Sequence, residues 1–139
     1  MGAKMLHTCI RVANLEKSLE FYKEVLELVE TRRKDFPEHK FTLVYLSDKE
    51  DGYELELTYN YDPEKPYDIG NGFSHIAIGA PNIEELREKH LKLGYEVTPL
   101  KGLPGEPPKY YFVTDPDGYK VEVIRTEAEI IMNLDNDEL

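Results

Sequence analysis

The sequence predicts an α+β fold made of two tandem βαβββ modules. Three observations point there. Strand-like alternation and helix-like periodicity follow the order β-α-β-β-β twice along the 139 residues. A histidine opening a strand-like run recurs, at His7 and His75, each followed 49 or 47 residues later by a glutamate in another such run, Glu56 and Glu122. Between the repeats lies a stretch rich in Asp, Pro and Gly, which reads as a linker.

In the first module, about 4–61, Met5 to Val12 reads as a strand. Asn14 is a good N-cap, and Leu15, Leu19, Tyr22, Val25 and Leu26 recur at helical spacing, so a helix should end near Leu28. Strands over about 29–36 and 40–47 flank a turn at Pro37. Lys49 to Gly52 has the composition of a hairpin turn, and Tyr53 to Tyr59 alternates as a strand with Glu54 and Glu56 on one face. The linker spans 62–72.

The second module, about 73–126, repeats the order. Phe73 to Ile78 is a strand, Asn82 caps a helix ending near Gly94, and Tyr95 to Pro99 is a short strand. The Pro/Gly-rich run from Gly102 to Pro108 is a loop. Tyr110 to Thr114 and Tyr119 to Arg125 are strands joined by Asp115-Pro116-Asp117-Gly118, a hairpin signal. The tail, 127–139, is acidic with embedded apolar residues and reads as a docking helix or a frayed end. By size the whole chain, 1–139, is a single domain.

Composition narrows the function classes. A hydrophobic fraction of 40% with ten tyrosines indicates a folded chain. A net charge of −11 argues against nucleic acid or an anionic membrane as partner, because phosphates would be repelled. No apolar run approaches the roughly 18 residues of a membrane-spanning helix, and no signal-peptide pattern stands at the N-terminus. A single cysteine, Cys9, cannot form an internal disulfide, which fits a cytoplasmic location. Its apolar neighbours predict a buried bystander. His39 and His90, in polar contexts, read as surface residues.

A lone strand histidine is usually structural and a lone strand glutamate usually solvated. Two matched pairs in a repeated module change that balance. Two neutral imidazoles and two carboxylates suit a borderline divalent ion, Ni²⁺, Co²⁺ or Zn²⁺. Val121, Val123 and Ile124 surround Glu122, so its face should be partly buried, and a buried carboxylate needs a partner. Glu54 and Glu56 share a face, so alternation does not choose between them. Arg11 lies four residues after His7 on the same strand face and suits bidentate recognition of a substrate carboxylate. Asn60 ends the Glu56 strand on the same face as Glu56 and could donate to a substrate carbonyl.

The runs His7-Thr8-x-x-Arg11-Val12, Glu54-Leu55-Glu56-Leu57-Thr58-Tyr59-Asn60, His75-Ile76-Ala77-Ile78 and Asp115-Pro116-Asp117-Gly118-Tyr119-Lys120-x-Glu122 together resemble glyoxalase I (lactoylglutathione lyase) of the vicinal oxygen chelate superfamily. The resemblance covers about residues 5–126. It implies curved mixed sheets built from paired modules, and metal ligands at His7, Glu56, His75 and Glu122, which selects Glu56 over Glu54. It also implies a homodimer whose sites take ligands from both chains, and thiol contacts at Arg11 and Asn60. The histidine at position 7 and the short chain resemble the nickel- or cobalt-activated type rather than the zinc type.

The implied activity is isomerisation of the methylglyoxal–thiol hemithioacetal to an S-lactoyl thioester. One divalent ion per site would act as Lewis acid. Glu122 would be the leading base, with Glu56 able to serve from the other side. Asn71, where some members carry arginine, and the prolines of the 101–109 loop depart from the family pattern and bear on which thiol is used, glutathione or another. Rival functions for this fold are a non-haem metal dioxygenase, against which a fourth ligand counts, and a metal-free binding or resistance protein.

Overall fold

The computed structural model describes residues 2–48 and 52–126. The expected hairpin turn at 49–52 falls mostly outside the described residues, and the tail at 127–139 falls wholly outside them. The chain divides into two compact units between Asp68 and Ile69. Among the described residues, no helix is long and apolar enough to cross a membrane.

The first unit holds a four-stranded mixed sheet, ordered β1-β4-β3-β2, from β1 (His7–Arg11), β2 (Val29–Phe36), β3 (Phe41–Ser47) and β4 (Glu54–Asn60). β1 and β4 run parallel, while β3 is antiparallel to both its neighbours. A parallel neighbour requires a long crossover, supplied here by everything from residue 12 to 53. Alternation sorts the faces: Ile10, Val44, Leu46, Leu55 and Leu57 are buried, with Phe21, Tyr22 and Val25 of the helical segment also in the core. His7, Cys9 and Arg11 of β1, and Glu54, Glu56, Thr58 and Asn60 of β4, stand at the opposite parity.

The helix after β1 differs from its expected form. Asn14 does cap it, its side chain accepting from the Lys17 amide at 3.1 Å, but the α-helical part, α1 (Leu15–Leu19), gives way to a π-helical stretch over Glu20–Val25. Leu26 N–H reaches back five residues to the Phe21 carbonyl at 3.0 Å. The wider turn carries Phe21, Tyr22 and Val25 together into the core.

The second unit holds a three-stranded mixed sheet, ordered β5-β7-β6, from β5 (Ile76–Ala80), β6 (Tyr110–Thr114) and β7 (Lys120–Arg125), with α2 (Ile83–Lys92) packed on β6 and β7. Asn82 caps α2. The strand expected over 95–99 is reduced to isolated bridges, Val97 to Val113 and Lys101 to Tyr110. The ladder to β6 breaks at Thr98, whose hydroxyl takes the Phe112 amide at 2.9 Å while Arg87 Nε donates to the Thr98 carbonyl at 2.8 Å, so pairing does not extend. This sheet has three strands where the repeat predicted four.

The hairpin between β6 and β7 is pinned by Asp115. Its side chain accepts from the Asp117 and Tyr119 amides at 2.9 and 2.8 Å, and Gly118 supplies the positive φ of 97° that the turn needs. This matters for Glu122, because a one-residue slip in register would turn it to the opposite face.

Candidate metal centre

Each unit builds a histidine–glutamate pair by the same register. In the first, β1 and β4 pair in parallel with Cys9 opposite Glu56, so the glutamate lies across from the residue two after His7. In the second, β5 and β7 pair in parallel with Ala77 opposite Glu122, again two after the histidine, His75. The outcome is the same in both. His7 Nε2 stands 3.1 Å from Glu56 Oε2, and His75 Nε2 stands 3.2 Å from Glu122 Oε1.

The donor atoms fit a divalent ion. An ion about 2.0–2.2 Å from a histidine nitrogen and a carboxylate oxygen spans separations of this size. Ser74 Oγ lies 2.7 Å from His75 Nδ1. When Nδ1–H donates there, Nε2 keeps its lone pair on the side of Glu122. The carboxylates are mostly shielded, with 11% and 17% of their side-chain surface exposed, while the histidines are about one-third exposed, at 37% and 35%. That combination sets protected carboxylates beside accessible imidazoles. Among the described residues, no group of three or more His, Cys, Asp or Glu side chains that could hold a metal ion forms within one chain.

Glu56 and Glu54, equivalent by alternation, have different partners. Glu54 accepts from the Thr31 hydroxyl and from Arg32 at 3.1 Å, and these donors hold its carboxyl below the usual carboxylate range. Glu56 faces His7 and accepts from the Tyr45 hydroxyl at 3.0 Å. Burial and this carboxylate push the Tyr45 phenol up. Arg32 lies over the Tyr45 ring, 3.8 Å from its centroid.

Arg11 is exposed at the end of β1, opposite Thr58. Asn60 ends β4, and its amide donates to the Tyr67 hydroxyl at 3.1 Å, so a linker tyrosine already occupies the group expected to meet substrate.

Two other expectations are corrected. Cys9 is exposed rather than buried, because β1 alternation puts it on the face of His7 and Arg11, where its sulfur lies 3.1 Å from the Thr58 hydroxyl. Desolvation, the largest of several influences, nonetheless raises its thiol above the ordinary range. His90 is fully buried rather than on the surface, with its Nδ1 2.9 Å from the buried Tyr111 hydroxyl. Its helical spacing from Ile83, seven positions, puts both on the inward face of α2. His39 is exposed, as its context indicated.

Tyr45 is the site-face residue that sequence reading passed over. An aromatic residue in an apolar strand reads as packing, and its hydroxyl acquires a role only through the register that puts it opposite Glu56.

Comparison with known proteins agrees with this architecture. Residues 4–123 match the model of the Glyoxalase/Bleomycin resistance protein/Dioxygenase superfamily. The chain is 43% identical over 132 residues to a lactoylglutathione lyase of Neisseria meningitidis, covering 90% of this chain and 92% of that one. It is 40% identical over 131 residues to a probable lactoylglutathione lyase of Synechocystis, covering 90% and 97%. Among solved structures it is similar to the trypanothione-dependent glyoxalase I of Leishmania major, with a TM-score of 0.81 and 36% identity over 98% of this chain and 95% of that one. The repeated modules, the two mixed sheets and these relatives lead to one assignment: the chain belongs to the Glyoxalase/Bleomycin resistance protein/Dioxygenase superfamily and, within it, to the glyoxalase I (lactoylglutathione lyase) family.

Proposed function

We propose that the chain is a lactoylglutathione lyase-type carbon–sulfur lyase that isomerises the hemithioacetal of methylglyoxal and a thiol to the S-lactoyl thioester, and so detoxifies methylglyoxal. The observation that carries this reading is a histidine–glutamate pair at the same register position in two successive modules, 3.1 and 3.2 Å apart. His7, Glu56, His75 and Glu122 are the ligand set, and Ni²⁺ or Co²⁺ is the favoured ion, with Zn²⁺ a less active substitute. A divalent ion held there would supply Lewis acidity to the two neighbouring oxygens of the hemithioacetal.

The chain's own groups do the rest. Glu122 removes the proton from the carbon that bears both sulfur and hydroxyl and returns it to the adjacent ketone carbon, while the hydroxyl proton passes to the former ketone oxygen; the first carbon becomes the thioester carbonyl and the second the carbinol. Glu56 is able to serve as base from the other face. The shielding of both carboxylates limits competition from water for that proton. Either pair alone falls short of a coordination set, so in this reading two copies form a homodimer and each site takes one pair from each chain. A single free cysteine fits a reducing cytoplasm.

Glutathione is the proposed thiol, with its carboxylate held by Arg11 and with Asn60 as a further contact once Tyr67 yields its amide. The test is thioester formation from methylglyoxal with glutathione and, separately, trypanothione, for wild type and Arg11→Ala. Turnover with glutathione, with KM raised in the variant and kcat little changed, supports the reading. Preference for trypanothione would reassign the thiol. Absence of turnover with any thiol in metal-loaded protein would remove the function.

A further inference from the structure

The two half-sites share a scaffold but differ by one hydroxyl. Tyr45 on β3 lies opposite Glu56, and Phe112 on β6 lies opposite Glu122. Each ring meets the histidine of its own unit edge-on: Tyr45 and His7 at 5.9 Å and 83°, Phe112 and His75 at 5.5 Å and 84°. The positions therefore match in register, in ring orientation and in partner. What differs is the donor. The Tyr45 hydroxyl reaches Glu56 Oε1 at 3.0 Å, while Phe112 has nothing to offer Glu122.

We propose that Tyr45 is a positioning residue that fixes Glu56 in place, and that Phe112, at the matched position, leaves Glu122 free to move. The inference rests on the proposed function and adds a division of labour between its two carboxylates. Both oxygens of Glu56 are engaged, Oε1 by the tyrosine and Oε2 by His7, so rotation of the carboxylate costs one contact or the other. The tyrosine is itself restrained by the Arg32 guanidinium over its ring and is only 6% exposed. Among the described residues, Glu122 has a single polar partner, His75, and its second oxygen carries no donor. A carboxylate that must accept a proton and hand it on needs that freedom, whereas a carboxylate whose main part is to hold an ion benefits from losing it.

Two single-atom exchanges test this in the full-length protein, with Co²⁺ as probe. Tyr45→Phe makes the first half-site resemble the second. It should bind Co²⁺ about 10–100-fold more weakly in competition with a chelator. It should also shift the visible bands of bound Co²⁺, a signature that altered packing alone would not move. Phe112→Tyr makes the second half-site resemble the first. It should keep or tighten Co²⁺ binding while lowering kcat about tenfold or more, with KM little changed, because Glu122 has gained a restraint.

Wild-type Co²⁺ affinity and spectrum in Tyr45→Phe would overturn the inference. So would wild-type kcat in Phe112→Tyr, which decides the matter even if the other variant fails to fold. A wild-type protein that takes up no Co²⁺ would overturn the metal reading beneath it, an outcome distinguishable from a wild type that binds and a variant that binds equally well.

Discussion

Nε2 of His75 stands 3.2 Å from Oε1 of Glu122, within 0.1 Å of the corresponding pair in the first unit. The agreement follows from register, not from spacing along the chain, since the two intervals differ by two residues. The connections between strands absorb that difference, and parallel pairing restores the geometry.

In the proposed reaction proton transfer falls to Glu122. Glu122→Gln preserves size and a ligand oxygen but removes the acceptor, so kcat should fall about 10²–10⁴-fold while metal content is retained. Metal analysis beside steady-state kinetics checks this. Loss of the metal together with activity would make Glu122 a ligand whose charge is indispensable and leave the base unassigned.

Shared sites make a second demand. His7→Ala and Glu122→Ala chains should each be inactive, yet after subunit exchange they should recover about a quarter of wild-type activity, because half the dimers are mixed and each mixed dimer has one intact site. Exchange demonstrated by native mass spectrometry without recovered activity would count against sites built from two chains.

Glu54 should behave differently from its neighbour on the strand. The Thr31 hydroxyl and then Arg32 depress its carboxyl below the ordinary range. A depressed folded-state value stabilises the protein fully above the unfolded carboxylate range, about 4.3, and the contribution disappears as pH falls through the lower folded value. The Tm of Glu54→Gln should therefore lie below wild type at pH 6, and the gap should close on acidification below pH about 4. A gap independent of pH would show that the charge of Glu54 contributes nothing.

Much of this architecture was legible in sequence because strands with one buried face announce themselves by alternation. β2, β3 and β6 lie where that pattern places them, and Asn14 and Asn82 cap the helices that follow them. The failures share a cause as well. The strand expected over 95–99 looks adequate locally, but the Thr98 hydroxyl and the Arg87 side chain take the backbone groups that would continue its pairing. The π-helical stretch at Glu20–Val25 answers to the shape of the core, which periodicity does not encode. Cys9 and His90 were judged by their immediate neighbours, whereas strand parity for one and helical spacing from Ile83 for the other decide burial. Tyr45 needed the β3–β4 register, which a sequence reader could obtain by counting back from the hairpin.

The most direct test of the central claim is thioester formation from methylglyoxal and glutathione by exhaustively chelated protein, before and after one equivalent of a divalent ion is returned per site. The chelated protein should be inactive, and recovery with Ni²⁺ or Co²⁺ should exceed recovery with Zn²⁺, as expected for two imidazoles and two carboxylates leaving room for oxygen ligands in an octahedral set. Full activity in protein shown to be metal-free would contradict it.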